Sequence, residues 1–291
     1  MRLGLQMASE GGEHGHTFPE YIAHHLTNLT NKPQEGPFDL SVLHLDTIFF
    51  SLLTAVIALL ILWSAARKAT PGVPGKFQTA IEMLVEFVNG EAKSMIHGTS
   101  KYITPLALTV FVWIILMNAI DLLPVDWIPE LGKLLGFEYM RALPTADLNG
   151  TVGMSFAVLL LSLFYTIKIK SGGEIAHEVG AGHFPLPKLG FNPLGWVGII
   201  ILLAANIFFY LEALIAPTIS HAFRIYGNMY AGELVFFLIN GMNGTGSILL
   251  GALGLLLGLG WAIFHILIVL LQAYVFMMLT LVYIGRAYQH H

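Results

Sequence analysis

The 291-residue chain has no cysteine and few charges, with Lys, Arg, Asp and Glu together making 11% of it. Without cysteine there is no disulfide, no thiolate nucleophile and no cysteine-ligated metal. Soluble domains carry about 25% charged residues, so the low charge excludes an ordinary soluble fold. A net charge of −4 gives nucleic acid no basic surface to bind. The first ten residues hold one cation, Arg2, with no apolar run behind it. No cleavable leader is expected, and internal helices must drive insertion. Matching halves of the kind built into transporters are also missing.

What fills the chain instead is apolar: 56% of it is hydrophobic, and mean hydropathy is +0.72. Five blocks reach the roughly 20 residues a membrane pass needs: Thr47–Ala66, Tyr102–Leu122, Leu148–Ile167, Leu194–Ile239 and Ser247–Ile284. The last two exceed one perpendicular pass, so they must tilt, kink or lie partly along the membrane. Pro217 and the Gly227-Asn228 pair are the places for a bend. Counting Ile199–Ala216 separately gives a sixth span. In Pro74–Ile96, Phe77, Ile81, Leu84, Val85 and Val88 recur at helical spacing among Glu82, Glu86, Glu91 and Lys93, which predicts an amphipathic helix in the interface. The expected fold is an all-α membrane protein with five to six transmembrane or intramembrane helices. The last two form an embedded hairpin over 194–285, within one membrane domain over 46–291 that follows a 45-residue N-terminal extension.

Cations set the orientation. With five passes, one side receives Arg67, Lys68, Lys76, Lys93, Lys101, Lys168, Lys170, Lys188 and Arg286. The other receives Arg2, Lys32, Lys133 and Arg141. The basic side is expected to be cytoplasmic, with the N-terminus and the acidic 121–147 loop (Asp121, Asp126, Glu130, Glu138, Asp147) outside.

Arg224 lies in a stretch, Asn192 to Ile239, with no other Lys or Arg and only Glu212 and Glu233 as acids. A guanidinium at bilayer depth costs roughly 2.5–3.5 kcal/mol, so it faces a partner, a water-filled cavity or an ion path. At about 100° per residue, Ser220, His221 and Asn228 fall within about 60° of Arg224 and form one polar stripe. Glu233 falls on the opposite face, roughly 13–14 Å further along, and cannot pair with Arg224 from a straight helix. In the last block His265, Gln272 and Tyr283 lie within about 20° of one another, and Gly251, Gly254 and Gly258 make a small-residue face for close helix approach. Two facing polar stripes suit a proton or ion route, although Gln272 alone also reads as interhelical glue, and Glu233 as a structural acid. His14, His16, His24 and His25 read as a solvated tail, because no acid or cysteine spacing completes a ligand set. His177 and His183 read as loop residues, and the glycines of 241–260 lack the Gly-Lys-Ser/Thr ending of a phosphate loop.

The run Phe223-Arg224-Ile225-Tyr226-Gly227-Asn228-Met229-Tyr230-Ala231-Gly232-Glu233-Leu234 closely resembles the signature of the subunit a family of bacterial F-type ATP synthases. Asp46-Thr47-Ile48-Phe49-Phe50, Gly72-Val73-Pro74-Gly75-Lys76 and Phe87-Val88-Asn89-Gly90 resemble other parts of that family. So do Met117-Asn118, Asp121 to Asp126, Pro144 to Asn149, Trp261 to Leu267, and Leu270 to Tyr274. The resemblance implies a non-catalytic stator in the inner membrane, with a periplasmic N-terminus and cytoplasmic C-terminus. Its implied partners are a rotating c-ring, the b subunits of the peripheral stalk and the rest of the complex, and no cofactor. Two offset half-channels are implied, separated by Arg224. Glu233, Asn228, His265 and Gln272 match residues of periplasmic access, while Ser220, Tyr283 and Glu212 match the cytoplasmic exit. The chain departs from the family pattern at Ala216-Pro217, at the offset of Glu212, along 172–190, and in the glycine-rich 240–260 connection. The rival reading is a secondary transporter holding an anion at Arg224, which requires the repeated halves that are missing. A scaffold without conduction is a third, which leaves the aligned polar residues without a purpose.

Overall fold

The computed structural model describes residues 18–32, 41–70, 72–96, 102–137, 139–185, 193–243 and 247–288. Arg2, His14, His16, Lys101, Glu138 and Lys188 lie outside them. The described chain is helical: α1 (Phe18–Leu26), α2 (Leu45–Lys68), α3 (Lys76–Met95), α4 (Ile103–Ala119), α5 (Trp127–Leu134), α6 (Leu148–Ile169), α7 (Gly172–Ala181), α8 (Pro193–Asn243) and α9 (Ile248–Gly285). A 3-10 turn over Ile120–Leu122 extends α4. Among the described residues, five helices are long and apolar enough to cross a membrane: α2, α4 with its turn, α6, α8 and α9. Ile199–Ala216 is part of α8 and not a separate span. The amphipathic α3 is not among the five; its Val88 and Ala92 are buried, whereas Phe77 and Val85 stay exposed.

At 1.5 Å per residue, the 51 residues of α8 run about 76 Å and the 38 of α9 about 57 Å. Both exceed the roughly 30 Å of hydrocarbon, so both must tilt steeply. Neither expected bend interrupts α8, which continues through Pro217 and Gly227. Proline has no N–H for the carbonyl four residues back, and that carbonyl, on Ala213, accepts from Arg286 Nη1 at 3.3 Å. The core joins Ala107, Phe111 and Ile114 of α4 to Ile225 and Met229 of α8 and Ala273, Phe276, Met277 and Leu281 of α9. Gly254 is buried and a Cβ added at Gly258 would meet Ile239 Cγ2 at 3.5 Å, whereas one at Gly251 would meet open space. The close approach therefore uses only part of the expected glycine face.

One expectation about loops is corrected. His177 sits on α7, a helix started by a reciprocal cap between Ser171 and Glu174, because each side chain satisfies a backbone N–H of the other. His183 stacks on Phe209 with centroids 5.7 Å apart. The acidic loop expected outside buries one of its acids. Asp147 is buried, where it caps α6 through Asn149 N and accepts from Thr47 Oγ1 at 2.8 Å.

Asp46 is 1% exposed and joins three segments. Its carboxylate accepts from Leu29 N at 2.9 Å, Thr47 N at 2.8 Å and Arg141 N at 3.1 Å. Asp46→Ala strands these donors, so a destabilisation of about 1–3 kcal/mol is expected. It should read as earlier thermal unfolding and faster proteolysis near residues 27–31. Wild-type melting and proteolysis would show that the carboxylate does not hold the segments together.

Candidate functional site

Ser220, Arg224 and Asn228, at four-residue spacing, share one exposed face of α8. Exposed Phe223, Ile219 and Leu271 extend the surface as apolar area. Among the described residues no side chain bonds to the Arg224 guanidinium. Its backbone is pinned instead: Gln272 Nε2 of α9 donates to the Arg224 carbonyl at 3.2 Å. Gln272 thus ties the two long helices together at the level of the arginine, as interhelical glue does. His221 does not belong to this stripe. It is 1% exposed and its ring lies 4.1 Å from that of Phe276, because the side of α8 turned to α9 carries it inward.

Nearer the C-terminus of α8 the charges are paired. Glu233, 7% exposed, meets Arg141 in a two-pronged contact: Oε2 to Nη2 at 2.5 Å and Oε1 to Nε at 3.4 Å. A planar guanidinium matches a carboxylate in this way, which is how a buried charge becomes tolerable. The Tyr230 ring lies 5.6 Å from the same guanidinium. His265, fully buried, places Nε2 2.6 Å from Oδ2 of Asp121, although neither atom has a partner in good hydrogen-bond alignment. The His265 ring packs on Gly232, where any Cβ would collide with it. Asp121, Arg141 and Glu233 border one small cavity of about 40 Å³, close to the roughly 30 Å³ share of one water. Two carboxylates, one guanidinium and an imidazole are thus gathered in a low-dielectric surrounding, where an uncompensated charge is costly. Asn118, Thr145 and Ser155 add buried polar atoms without partners among the described residues, which is the usual setting for ordered water.

Toward the other end of α8 lies a larger cavity of about 930 Å³, bordered by Lys170, His177, Glu178, Tyr210, Pro217, Tyr283 and Arg286. Lys170 Nζ pairs with Glu178 at 2.7 Å. Tyr283 is half-buried, with the Arg286 guanidinium 5.4 Å from its ring. Glu212 and Ser220 are exposed and do not border this cavity. The structure thus brings Glu233 and His265 to a common cluster, separates Arg224 and Asn228 onto the open face, and carries Tyr283 alone to the second cavity.

A family model described as ATP synthase A chain matches residues 48–285. The chain is 49% identical to "ATP synthase subunit a" of Acidovorax sp. (strain JS42), over 96% of this chain and 98% of that one. It is 47% identical to the protein of that name from Paracidovorax citrulli (98% and 100% covered). It is 48% identical to that from Mannheimia succiniciproducens (94% and 97%). The chain belongs to the ATP synthase subunit a family. It is a non-catalytic, proton-translocating membrane subunit of the F-type complex, and the anion-transporter reading falls away.

For this ATP synthase subunit, the residues that sequence reasoning missed are Arg141 and Asp121. Arg141 read only as a loop cation, and Asp121 as part of an acidic loop and of a run resembling the family, with no site role. The available signal was that Asp121 ends a span, within reach of the hydrocarbon, and that buried acids need cations. Removing Arg141 leaves Glu233 uncompensated, at a cost of about 3–5 kcal/mol. Arg141→Gln should therefore destabilise the subunit and lower proton flux. Arg141→Lys should recover stability only in part, since an ammonium cannot grip both carboxylate oxygens. Full flux and full thermal stability in Arg141→Gln would rule out the pairing as a functional element.

Proposed function

We propose that α8 and α9 form the wall along which a c-ring turns, and that Arg224 stands between two offset proton routes. One route runs through the cluster of Asp121, Arg141, Glu233 and His265, with Asn228 at its inner end. The other runs through the cavity beside Tyr283, with Ser220 and Glu212 on its flank. The single observation that carries this reading is Arg224: a guanidinium unpaired among the described residues, on an exposed apolar face, anchored from behind by Gln272. Such a charge calls for an ionisable group on a partner.

The chemistry follows from charge and solvation. A ring carboxyl must be neutral to face lipid and ionised to exchange its proton. A nearby cation favours the ionised form and draws it into the interface. Arginine keeps its proton, whereas a buried lysine can lose it and become a relay. A fixed positive charge also repels protons from passing straight between the two routes. Each proton crossing 100 mV gains about 2.3 kcal/mol, so rotation must sum several. The excess of cations on one set of loops puts that side in the cytoplasm. The N-terminal extension and the Glu233 cluster then face the periplasm of a bacterial inner membrane. The b subunits of the peripheral stalk are the expected partners that keep the chain from turning with the ring.

Purified in mild detergent, the chain should bring a c-ring and the soluble catalytic subunits with it. Arg224→Ala should abolish ATP-driven proton pumping in vesicles while assembly persists; normal pumping in that variant would overturn the proposal. Replacing Glu233 or His265 singly should slow pumping without uncoupling it. A Glu233→Leu, His265→Leu double variant should conduct little, and wild-type flux through it would remove both from the route.

A further inference from the structure

The four N-terminal histidines read as a solvated tail, and for His24 and His25 the structure overturns that. α1 is seated on the end of α8: Phe18 packs on Gly241, Tyr21 and His25 both contact the ring of Phe237, and His24 lies against Tyr139. Asn240 Nδ2 donates to Tyr21 Oη at 3.0 Å, and Tyr21 Oη donates to Asp126 Oδ1 at 2.7 Å. The seat covers the same small cavity that Asp121, Arg141 and Glu233 border, and His25 lines that cavity.

The His25 ring is committed on one side. Nδ1 lies 2.9 Å from the Tyr21 carbonyl oxygen, which can only accept, so Nδ1 carries a proton. Nε2 lies 3.2 Å from Asp126 Oδ1. With the other nitrogen spoken for, a neutral ring would set its Nε2 lone pair against a carboxylate oxygen. That repulsion is relieved when one proton sits between the two atoms. The side chain of His25 is 10% exposed and that of Asp126 45% exposed, so the pair reaches from solvent on the acid side to the cavity on the imidazole side. His25 also holds the Asp126 carboxyl below the usual carboxylate range, the largest influence on it.

We propose that His25 and Asp126 form the outer proton-loading station of this half-channel, with α1 as its cover. A hydronium at the mouth gives its proton to His25 Nε2 and leaves water. The imidazolium is held against ionised Asp126, and Nε2 then returns the proton to water in the cavity, from which one of the two carboxylates, Glu233 or Asp121, takes it. The charged and titratable groups facing His25 are Tyr21 and His24 on its own helix, Asp126 beyond α4, and Asp121, Arg141 and Glu233 around the shared cavity. The proposal rests on the reading of Glu233 as part of the proton route.

The test uses the assembled complex in right-side-out proteoliposomes, with proton flux measured over an outer-pH series from about 5 to about 8, where histidine changes charge. His25→Ala should lower flux roughly 3- to 10-fold and flatten its dependence on outer pH, and added imidazole should restore both. Asp126→Asn should lower flux without rescue by imidazole, and it serves as the second reading should His25→Ala fail to assemble. Flux and pH profile like the wild type in either variant would overturn the proposal. So would a loss in His25→Ala that imidazole does not restore, since the helix would then be only a structural cover. Glu233→Gln is measured in parallel: slow flux there beside an unaltered His25→Ala removes the loading station alone, whereas wild-type flux in Glu233→Gln removes the route beneath it.

Discussion

Hydrocarbon offers no hydrogen-bond partner, so each polar group carried into it must be matched within the protein, meet water or face another chain. This chain uses all three solutions in different places. Gln272 is matched by the Arg224 carbonyl, and Glu233 by Arg141. Asn118, Thr145 and Ser155 have no partner among the described residues and call for water. Arg224 is turned outward on an exposed face, with no side-chain partner for its guanidinium among the described residues. The division explains why one guanidinium in the membrane is buried and paired while the other is exposed and open to a partner.

The two long helices make that division possible. A helix near perpendicular to the membrane would expose only about 20 residues to hydrocarbon. The 51 residues of α8 instead carry Tyr283's cavity, Arg224 and the Glu233 cluster past one another along a single tilted axis. Pro217 leaves the helix whole because the carbonyl it frees is taken by Arg286, and that contact also holds the end of α9 beside the larger cavity. Gly232 serves the opposite end, letting the His265 ring sit where a larger residue would collide. Backbone features that look like defects in the sequence are therefore the points where Arg286 and His265 are seated.

The apolar blocks, the amphipathic segment, the length of the last two helices and the cost of Arg224 were all legible in the order of residues, because each depends on local composition and period. The angular relation of His265 and Gln272 was legible for the same reason, and both are buried on one side of α9. His221 shows the limit of that reasoning. Helical angles place it near Arg224, yet about 60° is enough to carry a side chain from an open face into a helix contact. Likewise, four histidines in a polar extension resemble a tail until the surface that receives two of them is known.

Sequence alone thus determined that the chain is a helical membrane protein with a costly arginine in a recognisable setting. Periodicity and hydrophobicity are properties of a segment by itself. Only the tertiary structure decided that Arg141 answers Glu233 across 92 residues, that Asp121 answers His265, and that α1 closes over them. Such pairings depend on how separate segments come together in space, and no helical period or local spacing encodes the distance between residues on different loops and spans.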